Sequence, residues 1–182
     1  MLAQSRCEQI NSFLLRIGEL YPKQMTVVNK SFPDQPLVYA NKNFLEFTGY
    51  SEKEVLGQNC RFLQKNSQVP EYKFSLRNGL RDYINHGVDC CVDLKNYKKD
   101  GTVFVNRLCL IHCGEELCLG LQNHVGRIAL KKVKPAPQEV LQPFLQAMDD
   151  YFESGDDSNE NLTKITMLLE DMCSQLTQLT AE

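Results

Sequence analysis

Three β-rich segments in the second half of the chain, "VDCCVDLKNYK", "TVFVNRLCLIHC" and "ELCLGLQNHV", are separated only by Lys99-Asp100-Gly101 and Gly114-Glu115. Connections this short fold each strand back on its neighbour, so the three should form an antiparallel meander. Upstream, the runs "MTVVN" and "PLVYA" are split by "KSFPDQP", whose prolines and Asp34 mark a turn, and they read as a hairpin. Between hairpin and meander lie short helices. "NKNFLEFTG" starts at a capping Asn41 and stops at Gly49, and "SEKEVLG" has Ser51 as cap, Glu54 at the capping-box position and Gly57 as stop. A longer helix is expected over about 71–85. The order β-β-α-α-α-β-β-β describes an α+β core over 24–127, with a five-stranded antiparallel sheet and a cavity where the mid-chain helices cover one face.

Helical flanks are expected on both sides. Leu2, Ile10, Phe13, Leu14, Ile17 and Leu20 recur at steps of three and four over 2–21, an amphipathic helix that ends before Pro22 and forms an N-terminal cap over 1–23. After the core, "VKPAPQ" reads as a hinge opening a C-terminal extension over 128–182. Its first helix, about 138–154, carries Val140, Leu141, Phe144, Leu145, Met148, Tyr151 and Phe152 on one stripe, with Pro143 in the first turn. The acidic break "ESGDDSNEN" leads to a second helix, about 159–180, in which Leu162, Ile165, Leu169, Met172, Leu176 and Leu179 have the spacing of a coiled-coil seam. No internal repeat or low-complexity tract is present.

With 182 residues, 42% of them hydrophobic and 24% charged, the chain suits one soluble domain with a substantial core. A net charge of -3 gives no general attraction to nucleic acid or anionic lipid, and the one basic patch, Arg127 to Lys134, is short. No secretory leader and no long apolar stretch appears, so a cytoplasmic protein is expected, with no membrane and no direct nucleic-acid partner. The eight cysteines then read as reduced and mostly buried. Cys90 and Cys91 cannot both face the cavity, and Cys7 and Cys173 are expected on helix faces. Cys109, His112, Cys113 and Cys118 lack the paired short loops of a structural zinc site, so no metal is expected. The absence of a nucleophile–base order, phosphate loop or kinase signature argues against an enzyme.

One octet stands apart. Gly57-Gln58-Asn59-Cys60-Arg61-Phe62-Leu63-Gln64 resembles the signature of LOV (light, oxygen, voltage) domains, flavin-binding blue-light receptors of the PAS superfamily. "NKNFLEFTGYSEKEVLGQNCRFLQ" is similar to the family's entry helices, "NYKKDGTVFVN" to its strand–turn–strand with paired asparagines, and "LGLQN" to its last strand. The resemblance covers about residues 25–125.

The resemblance implies a role for each matched residue. Asn96 and Asn106 would bond the polar edge of the flavin ring, since an amide offers both a donor and an acceptor. Asn59 and Gln64 would add contacts to the ring edge and ribityl chain. Arg61, Arg81 and Arg77 would hold the phosphate. Val28, Leu37, Phe44, Leu63, Leu80, Ile84, Leu94, Phe104, Leu108, Leu110 and Leu121 would form the walls, with Cys118 near the ring where the family often has phenylalanine. Cys60 would form a reversible cysteinyl adduct at flavin C4a under light, and Gln122 would relay the change by turning its amide. The chain would be a short LOV photoreceptor without a catalytic effector domain.

Gln64 and Arg81 stand about four residues farther apart than in typical plant LOV domains, so "KNSQVPEYK" holds a small insertion. Its size favours FMN over FAD. The flanking apolar stripes imply a homodimer whose geometry or affinity light would change, or release of a helix to an effector protein; the alternative is that they pack on one another in a monomer. Two other functions remain open: a flavin-binding redox sensor in which the thiol is incidental, and a PAS dimerisation module without photochemistry.

Overall fold

The computed structural model describes residues 5–64, 79–130 and 132–179. Helix α1, Arg6–Leu20, begins with a capping box in which Ser5 Oγ accepts from Glu8 N and Glu8 returns a carboxylate to Ser5 N. It buries Ile10, Phe13, Leu14 and Ile17, whereas Leu20, expected on the same stripe, is exposed. Strands β1, Gln24–Asn29, and β2, Leu37–Ala40, form the expected hairpin, with left-handed residues Asp34 and Gln35 in the turn.

Asn41 does more than cap α2, Lys42–Thr48. Its Oδ1 accepts from Phe44 N and from Met25 N, each at 3.0 Å, while Nδ2 donates to Gly18 O and Lys23 O. One buried amide therefore joins the end of α1, the start of β1 and the start of α2. Helix α3, Glu52–Val55, carries the Ser51/Glu54 capping box, and a 3-10 turn follows over Cys60–Gln64. Of the helix expected over 71–85, residues 79–85 are helical (α4), and 71–78 lie outside the described residues.

The meander is β3, Cys90–Tyr97, β4, Val103–Cys113, and β5, Leu117–Val125. The sheet has six strands and not five, in the order β2-β1-β5-β4-β3-β6. The sixth, β6 (Lys134–Pro135), comes from the segment expected to be a hinge. It pairs antiparallel with Cys91 and Cys90, and Ala136 N donates to Asp89 O at 2.9 Å, so the returning chain is fastened to the edge of β3.

Strand alternation divides the sheet into two faces. Registers Thr26↔Gly120, Val28↔Cys118, Leu108↔Gln122 and Leu94↔Asn106 place these residues on the face beneath α2, the 3-10 turn and α4. The opposite face carries Met25, Val27, Cys91, Cys109, Ile111, Leu119 and Leu121, which merge with α1, α5 and α6 into one core. Helix α5 is Gln138–Ser154 and α6 is Asn159–Thr177. Pro143 lies inside α5, beyond the first turn where it was expected, on an exposed side of the helix.

Most of the apolar stripe of each flanking helix is buried within one chain. Leu141, Phe144 and Met148 of α5 and Leu162, Ile165, Leu169, Met172 and Leu176 of α6 join Ile10, Phe13, Leu14 and Ile17 in the same core. The stripes from which a homodimer was inferred are thus largely covered within the protomer.

One ion pair fastens this cap. Asp93 and Arg107, opposite one another on β3 and β4, are 0% and 2% exposed. Arg107 Nε donates to Asp93 Oδ1 at 2.6 Å and Nη2 to Oδ2 at 2.8 Å, and Oδ2 also accepts from Ala129 N and Leu130 N. Arg107 Nη1 donates to the carbonyls of Leu176, Thr177 and Leu179 at the end of α6. Helix C-termini leave such carbonyls unpaired and favour a cation; α6 has no basic residue in its last turn, so β4 supplies one. Burial alone pushes the Asp93 carboxyl up, but hydrogen bonds from Arg107, Leu130 N and Ala129 N outweigh it and hold it below the usual range. A carboxyl lowered in the folded state contributes stability that is present above its ordinary titration and lost as pH falls through the folded value.

Arg107→Met should lower the unfolding free energy by about 3–5 kcal/mol, because the buried Asp93 carboxylate loses its guanidinium counter-charge. Urea denaturation followed by circular dichroism measures this, and an unshifted midpoint would contradict it.

Candidate functional site

The face beneath α2 and α4 gathers most of the residues singled out from the sequence. Its apolar side chains fall into three small clusters. Leu37, Phe44 and Leu63 pack together with Val28 and Cys60; Val92 and Leu94 pack with Leu80 and Leu108; Cys90, Leu110 and Cys118 pack with Val28, Leu80, Ile84 and Leu108. The 3-10 turn carrying Cys60 lies against β3. Phe104 is buried at the Asn96 end of the same face, edge-on to Phe47 at 5.1 Å.

Three amides supply the polarity. Asn96 and Asn106 are each 2% exposed and Gln122 is 4% exposed. Asn106 Nδ2 donates to Asn96 Oδ1 at 2.9 Å, and Gln122 Nε2 donates to Thr26 Oγ1 at 2.8 Å. Both leave a carbonyl oxygen, Asn106 Oδ1 and Gln122 Oε1, buried without a partner among the described residues. A buried acceptor left unsatisfied costs about 1–3 kcal/mol, so two on one face mark a place where a donor from elsewhere would be stabilising. Gly120 makes the Gln122–Thr26 contact feasible: a Cβ there would stand 2.7 Å from Thr26 Oγ1 and 3.1 Å from Gln122 Nε2.

Cys60 is half-buried as a residue, but its sulfur is enclosed and burial pushes the thiol up to about 12. It is therefore a protonated thiol at neutral pH, able to give both a hydrogen and a sulfur. This differs from low-pKa cysteine nucleophiles, which act as thiolates.

Other expected residues are placed differently. Leu121, expected as a wall, faces the helical cap among Met25, Cys109 and Ile111, because alternation sends it opposite to Gln122. Asn59 is spent on the β1–β2 turn: Nδ2 donates to Asp34 O at 2.7 Å and Oδ1 accepts from Arg61 N. Arg61 pairs with the Asp34 carboxylate, Nη1 lying 2.6 Å from both oxygens. Arg81 is exposed on α4, Gln64 is half-buried, and Arg77 lies outside the described residues. Thr26, Asp34 and Gly120 were missed from the sequence; Thr26 and Gly120 become legible only once the β1–β5 register brings them together, and Asp34 was read as a turn residue alone.

Comparison with known proteins agrees with this arrangement. The PAS domain family matches residues 23–123. The LOV structure of the blue-light photoreceptor Aureochrome1 in its dark form is 34% identical, covering 63% of this chain and 83% of that one, with a TM-score of 0.53. This chain is a LOV domain of the PAS family. The Rhodobacter sphaeroides LOV protein matches 93% of both chains at 25% identity, with a TM-score of 0.62, so the likeness extends over the flanking helices of this LOV protein. A light-oxygen-voltage domain from work on a flavin analogue is 32% identical, covering 71% of this chain and 88% of that one, with a TM-score of 0.51. Blue-light-activated histidine kinase of Brucella anthropi is 36% identical over 108 residues, 59% of this chain. The LOV chain spans about a fifth of that kinase's length.

Alkylation of Cys60 by iodoacetamide at pH 8 should be about a hundredfold slower than that of a small free thiol, its higher nucleophilicity offsetting part of the lost thiolate. Because the folded pKa is raised, the rate should keep climbing to about pH 12 instead of levelling near the ordinary cysteine value. Peptide mapping of the labelled protein reads this, and a plateau near pH 9 would contradict it.

Proposed function

We propose that this LOV domain is a blue-light receptor that binds FMN on the face beneath α2 and α4, with Cys60 as its photoreactive residue. The observation that carries this reading is the pair of orphaned buried carbonyl oxygens, Asn106 Oδ1 and Gln122 Oε1, on the face to which Cys60 also belongs. The set fits a flavin: apolar walls for the dimethylbenzene end, amides for the pyrimidine edge and a thiol in the turn that packs over the same sheet face. Bound flavin supplies absorption of blue light and a ring made reactive at N5 and C4a by excitation.

The protein's own groups do the rest. Asn96 and Asn106 would hold the polar edge of the ring, Asn106 Oδ1 being available as an acceptor. Cys60 would keep its proton in the dark and, beside an excited flavin, would be the protein's source of both a hydrogen and a sulfur. Gln122, held at present through Thr26, has its oxygen free to accept a new hydrogen bond by turning its amide.

The next residue carries the change across the sheet. Asn123 points to the opposite face, where Cys173 Sγ of α6 donates to its Oδ1 at 3.0 Å, and its register partner is Arg107. A disturbance at Gln122 therefore reaches the fastening of α6 within one residue. The output we assign is a shift of the α1/α5/α6 cap, passed to an effector protein or to a second copy through surfaces other than the covered stripes. No kinase activity is carried over from the Brucella protein, whose length is mostly unmatched.

Purified protein should be yellow and lose its visible flavin bands reversibly under blue light. Cys60→Ala should keep the pigment and lose the reversible bleaching. Full bleaching in that variant would overturn the assignment of Cys60, and a colourless protein would overturn flavin binding itself. The Asp34 carboxylate competes with a phosphate for Arg61, so Asp34→Asn should tighten FMN by about two- to fivefold relative to riboflavin, as read by fluorescence titration.

A further inference from the structure

Cys91 and Cys109 are not used by the proposed photochemistry, because they lie on the other face of the sheet, under the helical cap. They are directly opposite in the β3–β4 register, and their sulfurs are 2.6 Å apart. Opposed residues of antiparallel strands have Cα separations of about 4.5–5.5 Å, inside the range a disulfide spans. No other strand cysteine has a thiol facing it: Cys90 is opposite Leu110, Cys113 opposite Leu117 and Cys118 opposite His112.

We propose that Cys91 and Cys109 form a second, oxidant-reactive site, which hydrogen peroxide closes to a disulfide when α6 lifts from the sheet. Both residues are 0% exposed in the docked state, covered by a core that includes Tyr21, Met172 and Cys173. Burial raises the Cys109 thiol well above its ordinary value, and its contact with Cys91 raises it further, so the pair is inert while covered. The Arg107 guanidinium two residues along acts in the other direction and favours the thiolate, an influence that burial outweighs only while the cap is in place.

The step balances without another reagent. One thiolate attacks a peroxide oxygen, breaking the O–O bond and releasing water with formation of S–OH; the second sulfur displaces that oxygen as a second water. Two sulfurs lose one electron each, and one peroxide is reduced to two waters. The new bond would replace the cross-strand contact adjacent to the Asp93–Arg107 pair. Oxidation would therefore register at the same fastening that holds α6.

The experiment is peptide mapping of full-length protein after peroxide treatment in the dark, with remaining thiols trapped by alkylation. The expected result is a Cys91–Cys109 linked peptide and loss of two hydrogens from the intact mass, both absent in Cys109→Ala. Leu176→Ala, which loosens the end of α6 without changing any residue of β3 or β4, should form the link about tenfold faster. No linked peptide in wild type, an unchanged mass loss in Cys109→Ala, or equal rates in folded wild type and Leu176→Ala would each overturn the proposal. Since the mapping needs no bound flavin and no light, its failure is separate from failure of the photochemical reading.

Discussion

The buried pair Asp93–Arg107 is the interaction on which the arrangement of this molecule depends. Two charges removed from water are costly unless every donor and acceptor finds a partner. Here Asp93 accepts from Arg107 and from two backbone N–H groups after β5, and Arg107 spends its remaining nitrogen on three carbonyls at the end of α6. The pair therefore specifies a place as well as contributing energy. Apolar stripes hold α6 against the sheet with little preference for register, whereas a guanidinium meeting helix-end carbonyls fixes where that helix stops.

The sheet then works as a partition with two chemistries. On one side amides, a thiol and small apolar clusters are presented in the manner of a binding face; on the other, one continuous core welds the flanking helices to the strands. Period-two alternation makes consecutive residues speak to different sides. Gln122 meets Thr26 while Asn123 meets Cys173, and Cys90 meets Leu110's cluster while Cys91 meets Cys109. No long relay is needed when one peptide bond separates the two environments.

Much of this was legible in the residues. Capping boxes, glycine stops and short polar links located α2, α3 and the meander, because those signals act within a few positions. What lay beyond reach was whatever depends on pairing across distance. The stripes of α5 and α6 announced that a face is buried, yet an amphipathic pattern does not name its partner, and the partner turned out to be the same chain's sheet. Lys134–Pro135 carries no strand pattern and pairs only because the chain must return along the edge of β3. Leu121 was assigned to the wall by family resemblance, where alternation places it opposite to Gln122. Among the candidate site residues, Cys60, Asn96, Asn106 and Gln122 stood out through family resemblance alone; read singly, each is an ordinary strand or helix residue.

The short β6 has one more consequence. A bare sheet edge offers unpaired N–H and C=O groups to any passing strand. Here β6 covers part of the outer side of β3, and at the far side Leu37 of β2 exchanges hydrogen bonds with Gly57 and Gln58. With both margins partly occupied by its own backbone, the protein is guarded against growing by strand addition into extended aggregates.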